Sequence, residues 1–398
     1  MSKDLFLEIN DNNFLFVVGE YDESLNFKIL KKVKEPSSGV KFGKIVDLEK
    51  SSLIVKKCID HLENELNYIF KEVNIIINFD NYECLNVTGF KRLNGDQLLK
   101  EDIFFILNDL KRQVSENEID KTILHLFNTN YSLDNNDNVN LPIGLSGNFY
   151  SHHLTFFLAH KNDLNNFKLL MDKCNLKINR FNIKNYLNGI KIINSDKNDT
   201  FLKISIGKEK SYVQYFYNSS FCYYQSFNFG SNIIKRDISK VCSLNNKTTN
   251  NITSNLILEN FDNLDKKFLE KDFFLDEKFR KISLKLLFNI IDCRIEELIS
   301  LIFFKNINLK NIKNEVTRLY FNLEDILISE SINKIFEKTF IKKNSSINLK
   351  SEKITQNDEF EECNVSAELS KKGWTREALP VIQSKKSIIS RIFSLFFD

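Results

Sequence analysis

Two stretches of this sequence, almost two hundred residues apart, share one plan of three apolar segments separated by short turns. The first consists of LFLEI (5–9), FLFVVGEY (14–21) and LNFKILKK (25–32). The second consists of FLKISI (201–206), SYVQYFY (211–217) and CYYQSFNF (222–229). Apolar segments broken by Asn, Asp, Gly and Ser predict antiparallel strands. A repeat of the whole three-stranded pattern predicts an internally duplicated fold.

A helical pattern follows each of these meanders. After the first, Val55, Cys58 and Leu62 recur at helical spacing, and a strand, NIIINF (74–79), comes next. After the second, residues 280–305 have the pattern of a long amphipathic helix. An α/β unit that occurs twice, each time opened by a meander, is the plan of the class that contains actin, sugar kinases and chaperone ATPases. We therefore predict a discontinuous first lobe at 1–80 and 152–196, and a second lobe at 197–342.

The residues between the two parts of the first lobe, 81–151, are predicted to form an inserted subdomain. They contain an amphipathic helix (102–114) and an extended apolar segment (123–133), and they end in LPIGLSGNFY. Beyond residue 342 the sequence is polar and lacks periodicity, which predicts a flexible linker at 343–384. The final stretch, 385–398, is apolar again and is predicted to be an amphipathic helix.

Charge and cysteine usage exclude several classes of protein. The chain has 56 basic and 53 acidic residues, and this balance argues against nucleic-acid binding, which needs a basic excess. The seven cysteines are scattered and never in C-x-x-C spacing, so we predict no disulfide framework, no zinc site and a reducing cytosol. No uncharged run reaches the roughly eighteen residues of a spanning helix. We interpret His152, His153 and His160 as structural, because no partner lies at metal-ligand spacing.

Three further segments occur in a recognisable order. GVKFGKIVD (39–47) has the form G-x-x-x-G-x-I-x-D at the entry to a helix. LPIGLSGNF (141–149) closes the inserted subdomain, and LLMDKCNLKINRF (169–181) forms a helix exit in which Asn175 stands in place of glycine. Asn is the next-best residue for a left-handed helix end. With these segments, over essentially its whole length, the sequence resembles the bacterial cell-division protein family FtsA.

The resemblance implies an actin-like fold in which a small inserted subdomain replaces one of the subdomains of actin. It implies an adaptor that tethers FtsZ filaments to the cytoplasmic side of the bacterial inner membrane at the division site. The implied partners are the C-terminal peptide of FtsZ, a membrane surface with anionic lipid, later division proteins and further copies of the chain in a filament.

The family binds ATP, and the resemblance implies a site built from two glycine-rich turns and acids that hold Mg²⁺. The first turn, D-I-G-T-S-K in the family, corresponds to residues 8–13, EINDNN, which lack the glycine. The second turn, D-I-G-G-G-T-T-D, corresponds to residues 205–212, SIGKEKSY, which keep one glycine and neither acid. A glycine triplet is expected within 314–340, which contain no glycine at all.

A Cβ at each lost glycine would push the backbone away from a ligand. We therefore expect no ATPase activity and assign no cofactor. The remnant nucleotide loops are Asn10, Asp11, Asn12, Gly207, Lys208 and Lys210. Weak nucleotide binding stays open, because Lys208 and Lys210 can attract an anion.

The predicted helix from residue 280 carries a stripe with two interpretations. The stripe consists of Arg280, Ser283, Leu284, Leu287, Ile291 and Arg294. One interpretation is a face that packs on the core, with the arginines reaching solvent. The other is a dock for a short apolar and acidic peptide, and the resemblance implies that this region of the family receives the FtsZ peptide.

The predicted C-terminal helix has one broad apolar face and a basic start. The membrane-binding residues are expected to be Lys385, Lys386, Ile388, Ile389, Arg391, Ile392, Phe393, Leu395, Phe396 and Phe397. A strongly amphipathic helix too short to span a bilayer is typical of in-plane membrane anchors. Docking on the protein itself is the other interpretation. For the whole chain, a working actin-like ATPase and a scaffold of another envelope machine, such as pilus assembly, are the alternatives to the division adaptor.

Overall fold

The structure is a computed structural model. It describes residues 2–78, 82–138, 140–257, 267–325, 328–343, 348–351 and 359–380. These residues divide into two units. The first unit comprises Met1–Asp199, Phe216–Tyr223 and the C-terminal segment from 359 to 380. The second unit comprises Thr200–Tyr215 and the residues from Tyr224 onward that precede the C-terminal segment.

The central sheet of the first unit has the strand order β11-β6-β1-β2-β3. Its strands are β1 Asp4–Ile9, β2 Asn13–Tyr21, β3 Phe27–Pro36, β6 Glu72–Ile77 and β11 Lys177–Ile183. The meander β1–β2–β3 is antiparallel, whereas β1, β6 and β11 run parallel. Strands β1 and β6 are buried at every residue after the first, as expected for strands that are covered on both faces. A small hairpin, β4 Val40–Lys41 and β5 Lys44–Ile45, follows the meander.

Three helices of the first unit accompany these strands. They are α1 Leu48–Leu66, α3 Lys161–Lys173 and α4 Lys184–Asp196; α1 and α3 precede β6 and β11, and α4 follows β11. The side chain of Asp47 caps α1 by accepting a hydrogen bond from the Lys50 amide at 3.1 Å. Asn175 adopts a left-handed conformation (φ 56°) just after α3, as the sequence predicts.

The inserted subdomain is a sheet with one helix packed on it. Its elements are β7 Tyr82–Arg92, α2 Lys100–Asn117, β8 Lys121–Leu133, β9 Asn136–Asn138 and β10 Phe149–His160. The strand order is β17-β8-β10-β7, with β9 paired to β8, so the outermost strand, β17 Glu377–Pro380, comes from the C-terminal segment. Ile103, Ile106 and Leu110 of α2 pack against Leu126 and Phe156 of the sheet.

The second unit repeats the plan of the first. Its sheet order, β14-β13-β12-β15-β16, places a meander beside two further strands, and β12, β15 and β16 run parallel. The strands are β12 Phe201–Ile206, β13 Ser211–Tyr217, β14 Ser220–Phe227, β15 Arg318–Leu323 and β16 Asn348–Ser351. The helices are α5 Asn232–Val241, α6 Asn246–Asn255, α7 Leu284–Ile299, α8 Ile312–Glu315 and α9 Glu330–Lys343. This repeat confirms the duplicated α/β fold predicted from the two meanders.

The region predicted as a flexible linker, 343–384, differs from that prediction over its second half. Residues Glu361–Lys372 form helix α10, and Glu377–Pro380 form strand β17. The helix was not evident in the sequence because its buried face is made mostly of small residues, such as Cys363, Ser366 and Ala367. Polar composition alone therefore gave the wrong expectation for this segment.

The predicted membrane helix, 385–398, lies outside the described residues. So do residues 344–347, 352–358 and 381–384 of the predicted linker. None of the helices in the described ranges has the length together with the hydrophobicity of a membrane-spanning segment.

Candidate functional site

The turn between β1 and β2 contains the first remnant loop, Asn10 to Asn12. The Asn10 amide donates to the carbonyl of Asn13 at 3.0 Å and closes the turn. The Asn10 side chain donates to Glu8 Oε1 at 2.9 Å and accepts from Asn78 Nδ2 at 3.1 Å. None of Asn10, Asp11 and Asn12 has a positive φ, so this turn does not require the lost glycine.

Asp11 and Asn12 also bond within the protein. The Asp11 carboxylate accepts from the amides of Phe42 and Gly43 at 2.9 and 2.6 Å, in the turn between β4 and β5. Both of these residues have positive φ, 52° and 69°, and the carboxylate satisfies the amides that the tight turn exposes. The Asn12 carbonyl accepts from Ser37 N at 3.1 Å. The loop thus stabilises the β4–β5 turn that precedes α1.

Glu8 is the acid at the end of β1, and its side chain is fully buried. Its Oε1 lies 2.5 Å from Nζ of Lys184, the first residue of α4. Strands β1 and β11 run in the same direction through the sheet, so their carboxyl ends meet at one edge and bring the two residues together. Lys184 of the same chain therefore neutralises the charge of Glu8 at this edge of the sheet.

The second remnant loop, Gly207 to Lys210, packs against the start of α5. The carbonyls of Gly207 and Lys208 accept from the amides of Ser231 and Asn232 at 2.9 and 3.0 Å. A Cβ on Gly230 would lie 2.3 Å from the Gly207 carbonyl oxygen, which explains why that position is glycine. The amides that could bind an anion at this helix start are thus used by loop carbonyls. Lys208 is exposed.

A buried ion pair that sequence reasoning missed lies beside this loop. Lys235 Nζ of α5 is 2.9 Å from Asp325 Oδ2, which follows β15. Ser231 Oγ donates to the same carboxylate oxygen. The ion pair fixes the start of α5 to the end of β15. The sequence feature that could have revealed this ion pair is the position of Lys235 among the apolar residues on one face of α5.

The residues predicted to bind a peptide do not form one continuous helical stripe. Arg280 precedes helix α7, whose N-cap is Ser283, so its placement on the same helix as Arg294 was wrong. The Ser283 hydroxyl accepts from Lys285 N at 3.2 Å and starts the helix there. Arg280 instead donates to the Ser243 carbonyl and to Glu277.

The apolar part of the stripe faces the core. Leu287 and Ile291 are completely buried, and Leu284 is half-buried. Arg294 pairs with Asp237 and Glu297 of the same unit. Leu287 and Ile291 therefore cannot contact a partner without repacking, which agrees with the core-facing interpretation of these two residues.

The neighbouring histidines of β10 have structural surroundings. His152 Nε2–H donates a 2.9 Å hydrogen bond to Asn128 Oδ1, and burial lowers the pKa of His152 to about 3. His153 faces the other side of the sheet, 2.9 Å from Thr88 Oγ1. Among the residues that the structure describes, no group of three or more His, Cys, Asp and Glu could hold a metal ion.

A buried cluster inside the first unit was not predicted at all. Glu377 of β17 accepts from His125 Nδ1 at 2.7 Å and pairs with the Arg180 guanidinium at 2.5 Å. The Tyr186 hydroxyl donates to the same carboxylate at 3.4 Å. Burial alone would raise the pKa of Glu377, but the Arg180 charge and the bond to His125 outweigh it and lower that pKa to about 2. These four residues come from β17, β8, β11 and α4, so no local pattern could have revealed them.

Comparisons with known proteins agree with this architecture. Residues 80–153 match the family described as the SHS2 domain inserted in FtsA. The chain is 25% identical over 247 residues to the cell division protein FtsA of Buchnera aphidicola from Acyrthosiphon pisum, covering 62% of this chain and 59% of that protein. It is 21% identical over 193 residues to FtsA of Escherichia coli K12, covering 48% and 46%. The aligned regions thus span about half the length of these relatives.

A solved structure with the same fold is the PilM–PilN type IV pilus biogenesis complex. It superposes with a TM-score of 0.52 at 10% identity, covering 92% of this chain and 97% of the other. At this identity the likeness concerns the fold alone. The chain is a divergent relative of the FtsA cell division proteins, with an FtsA-type SHS2 domain inserted in an actin-like fold.

Proposed function

We propose that this chain is a cell-division adaptor that tethers FtsZ filaments to the cytoplasmic face of the inner membrane and helps to recruit later division proteins. The observation that carries the proposal is the SHS2 domain at 80–153, inserted in an actin-like fold, in a chain whose relatives are named cell division protein FtsA. Filament formation by further copies of the chain is part of the same proposal.

The adaptor has no ATPase activity in this proposal. Glu8 is neutralised by Lys184, and Asp11 is bonded to two backbone amides, so neither acid of the first loop is free to hold Mg²⁺. In the second loop, the backbone carbonyls of Gly207 and Lys208 accept hydrogen bonds from the amides at the start of α5, so these amides are not available to a phosphate. These residues do not fit a magnesium–nucleotide site. Purified protein is expected to show no magnesium-dependent ATP turnover.

The proposed membrane anchor is the C-terminal tail, 385–398. Its support is the sequence pattern: seven large apolar residues on one face and three cations, in a segment outside the described residues. Burial of even part of such a face is worth several kcal/mol, at roughly 1.5–3 kcal/mol for each complete side chain. Each cation near anionic lipid adds about 1 kcal/mol. Binding of one tail is then reversible, and a filament of many copies binds firmly.

The proposed FtsZ contact lies on the exposed side of α7 and the segment before it. Leu287 and Ile291 are in the core, whereas Leu286 is 43% exposed on the same helix. Phe268, 41% exposed, pairs with Ser283, one helical turn before Leu286. Arg280 lies 3.1 Å from Glu277 and is 42% exposed, so an acidic peptide can compete for it. An apolar strip with a nearby cation suits a short peptide that has both apolar and acidic groups.

The proposal is tested by fluorescence anisotropy with the full-length chain and a labelled C-terminal peptide of FtsZ from the same organism. We expect saturable binding, and no binding of a peptide with the same composition in scrambled order. Equal signals from the two peptides would contradict the FtsZ contact. Turnover of ATP that depends on magnesium would contradict the adaptor without ATPase activity, and favour an actin-like ATPase instead.

A further inference from the structure

The C-terminal segment 359–380, here called the strap, is anchored along the first unit. Helix α10 buries Cys363 and Ala367 completely against the central sheet. The Tyr21 hydroxyl donates to the Ala367 carbonyl at 2.9 Å, and Asn182 Nδ2 donates to Ser366 Oγ at 2.7 Å. Hydrogen bonds at fixed positions of this kind restrict the helix to one packing position on the sheet.

A turn after α10 directs the strap onto the inserted subdomain. Gly373 has φ 67° and ψ −169°, a conformation essentially restricted to glycine. Beyond it, Trp374 Nε1 donates to the Ser219 carbonyl at 2.8 Å, and Arg376 Nε donates to the Asn218 carbonyl at 2.9 Å. The strap is thus fixed on both sides of its turn.

Strand β17 completes the sheet of the inserted subdomain. Ala378 is 1% exposed and belongs to the core formed by α2 and the sheet. The neighbouring Glu377 is held by His125 and Arg180 in the buried cluster. A shift of β17 by one residue would turn Glu377 to the opposite face and leave both partners unpaired, so the cluster fixes the register of the strand.

The direction of β17 determines which end of the sheet Pro380 lies nearest. The strand is antiparallel to β8, with Glu377 opposite Phe127 and Pro380 opposite His125. It therefore runs toward Lys121, the first residue of β8, and the turn that joins α2 to β8. Only residues 381–384 separate Pro380 from the proposed membrane tail. Four residues span at most about 14 Å, even when fully extended.

From this we propose that the strap holds the α2–β8 turn at the membrane, so that this end of the inserted subdomain is the lipid-facing surface of the chain. The inference rests on the proposed membrane binding by the tail. Ile119 in that turn is 72% exposed, and the exposed Lys161 donates through Nζ to its carbonyl at 2.7 Å, so the turn carries an exposed apolar side chain with a cation beside it, next to the exposed Asp120. The β8–β9 turn lies at the opposite end of β8, roughly 40 Å away at about 3.3 Å per residue.

Two matched labelling sites distinguish these ends. Asp120, in the α2–β8 turn, and Asp137, in β9 beside Ser132, are both exposed aspartates. Asp120→Cys and Asp137→Cys are made separately in full-length chain carrying Cys293→Ser, because Cys293 is the exposed cysteine in the described part of the chain. Each is labelled with a fluorescent donor, and the parent Cys293→Ser chain gives the label blank. Vesicles of phosphatidylglycerol and phosphatidylcholine carry a lipid-linked acceptor.

We expect energy transfer from the label at 120 to be at least twofold more efficient than from the label at 137. In a further pair of labelled variants, twenty Gly and Ser residues are inserted after Pro380, which lengthens the connection without touching the strap or the tail. These variants should still co-sediment with the vesicles and lose the difference between the two labels. Equal transfer from both labels in the parent length, or a difference that survives the insertion, would overturn the inference. Failure of every variant to co-sediment would instead overturn the proposed membrane binding, and the inference with it.

Discussion

The imidazole Nδ1 of His125 and the carboxylate Oε1 of Glu377 lie 2.7 Å apart in the interior of the first unit, although 252 residues separate them in the chain. The carboxylate accepts from Nδ1–H, and the Ile183 amide donates to Nε2 at 3.4 Å, so the imidazole is neutral. Burial lowers the pKa of His125 below its usual 6.5, against the opposing effect of Glu377. The Arg180 guanidinium is therefore the charge that balances Glu377.

This cluster predicts loss of stability in acid. Both His125 and Glu377 bind protons more readily in the unfolded chain, because both have lowered pKa values in the folded state. Their contribution is complete above pH 6.5. It falls first as unfolded His125 becomes protonated, and then between about pH 4.5 and 2 as Glu377 does. Urea unfolding at a series of pH values measures the effect. A free energy of unfolding that is constant from pH 7 to pH 4 would contradict it.

Glu377→Gln is expected to destabilise the first unit by about 3 kcal/mol, because it leaves the buried Arg180 without a counter-charge. The control is Glu359→Gln, on the same strap, which removes a half-exposed pair with Lys34. An exposed pair of that kind is worth about 1 kcal/mol or less. Urea unfolding at pH 7 compares the two variants. Similar small losses for both would mean that the cluster does not hold the strap.

Lys184→Met is expected to cost about 2–4 kcal/mol, because Glu8 stays fully buried and loses its counter-charge. Lys31→Met provides the matched control, since the Lys31–Glu65 pair is more than one-third exposed on both sides and should contribute under about 1 kcal/mol. Adding Glu8→Gln to Lys184→Met should recover part of the loss. If the double variant is no more stable than the single one, the two residues are not coupled.

Substitution of two adjacent leucines of α7 distinguishes effects on stability from effects on peptide affinity. Leu287→Ala removes a completely buried side chain and should lower the free energy of unfolding by about 2–5 kcal/mol. Leu286→Ala changes a side chain that is 43% exposed, so stability should change by under about 1 kcal/mol while affinity for the FtsZ peptide falls. Urea unfolding and anisotropy are measured on both variants. Unchanged peptide affinity in Leu286→Ala would place the contact elsewhere.

The proposed membrane binding by the tail is tested by deletion of the tail and by introduction of one charge on its apolar face. A chain that ends at Ser384 is expected not to co-sediment with anionic vesicles. Phe393→Asp in the full-length chain, which puts a carboxylate on the apolar face, should reduce binding at least tenfold. Replacement of the anionic lipid by phosphatidylcholine should weaken binding of the unaltered chain, because three cations lose their attraction. If the shortened chain still pellets with anionic vesicles, another part of the protein is the anchor.

Much of the fold follows from local patterns. The two meanders, the inserted helix and strand at 102–114 and 123–133, and the left-handed Asn175 all have short-range signatures in turn residues and periodicity, and each has its counterpart in the structure. The lost glycine of the first loop was also evident, since residues 8–13 contain none.

The sequence by itself therefore determined the duplicated plan, the place of the inserted subdomain and the amphipathic pattern of the last residues. The tertiary structure alone decided that Leu287 and Ile291 face the core, that Lys184 neutralises Glu8, and that the polar segment 359–380 is a strap. The reason is physical. Periodicity is set by neighbours along one helix or strand, whereas a buried pair such as Lys184 and Glu8 joins residues 176 positions apart and exists only once the sheet has brought the ends of its strands together.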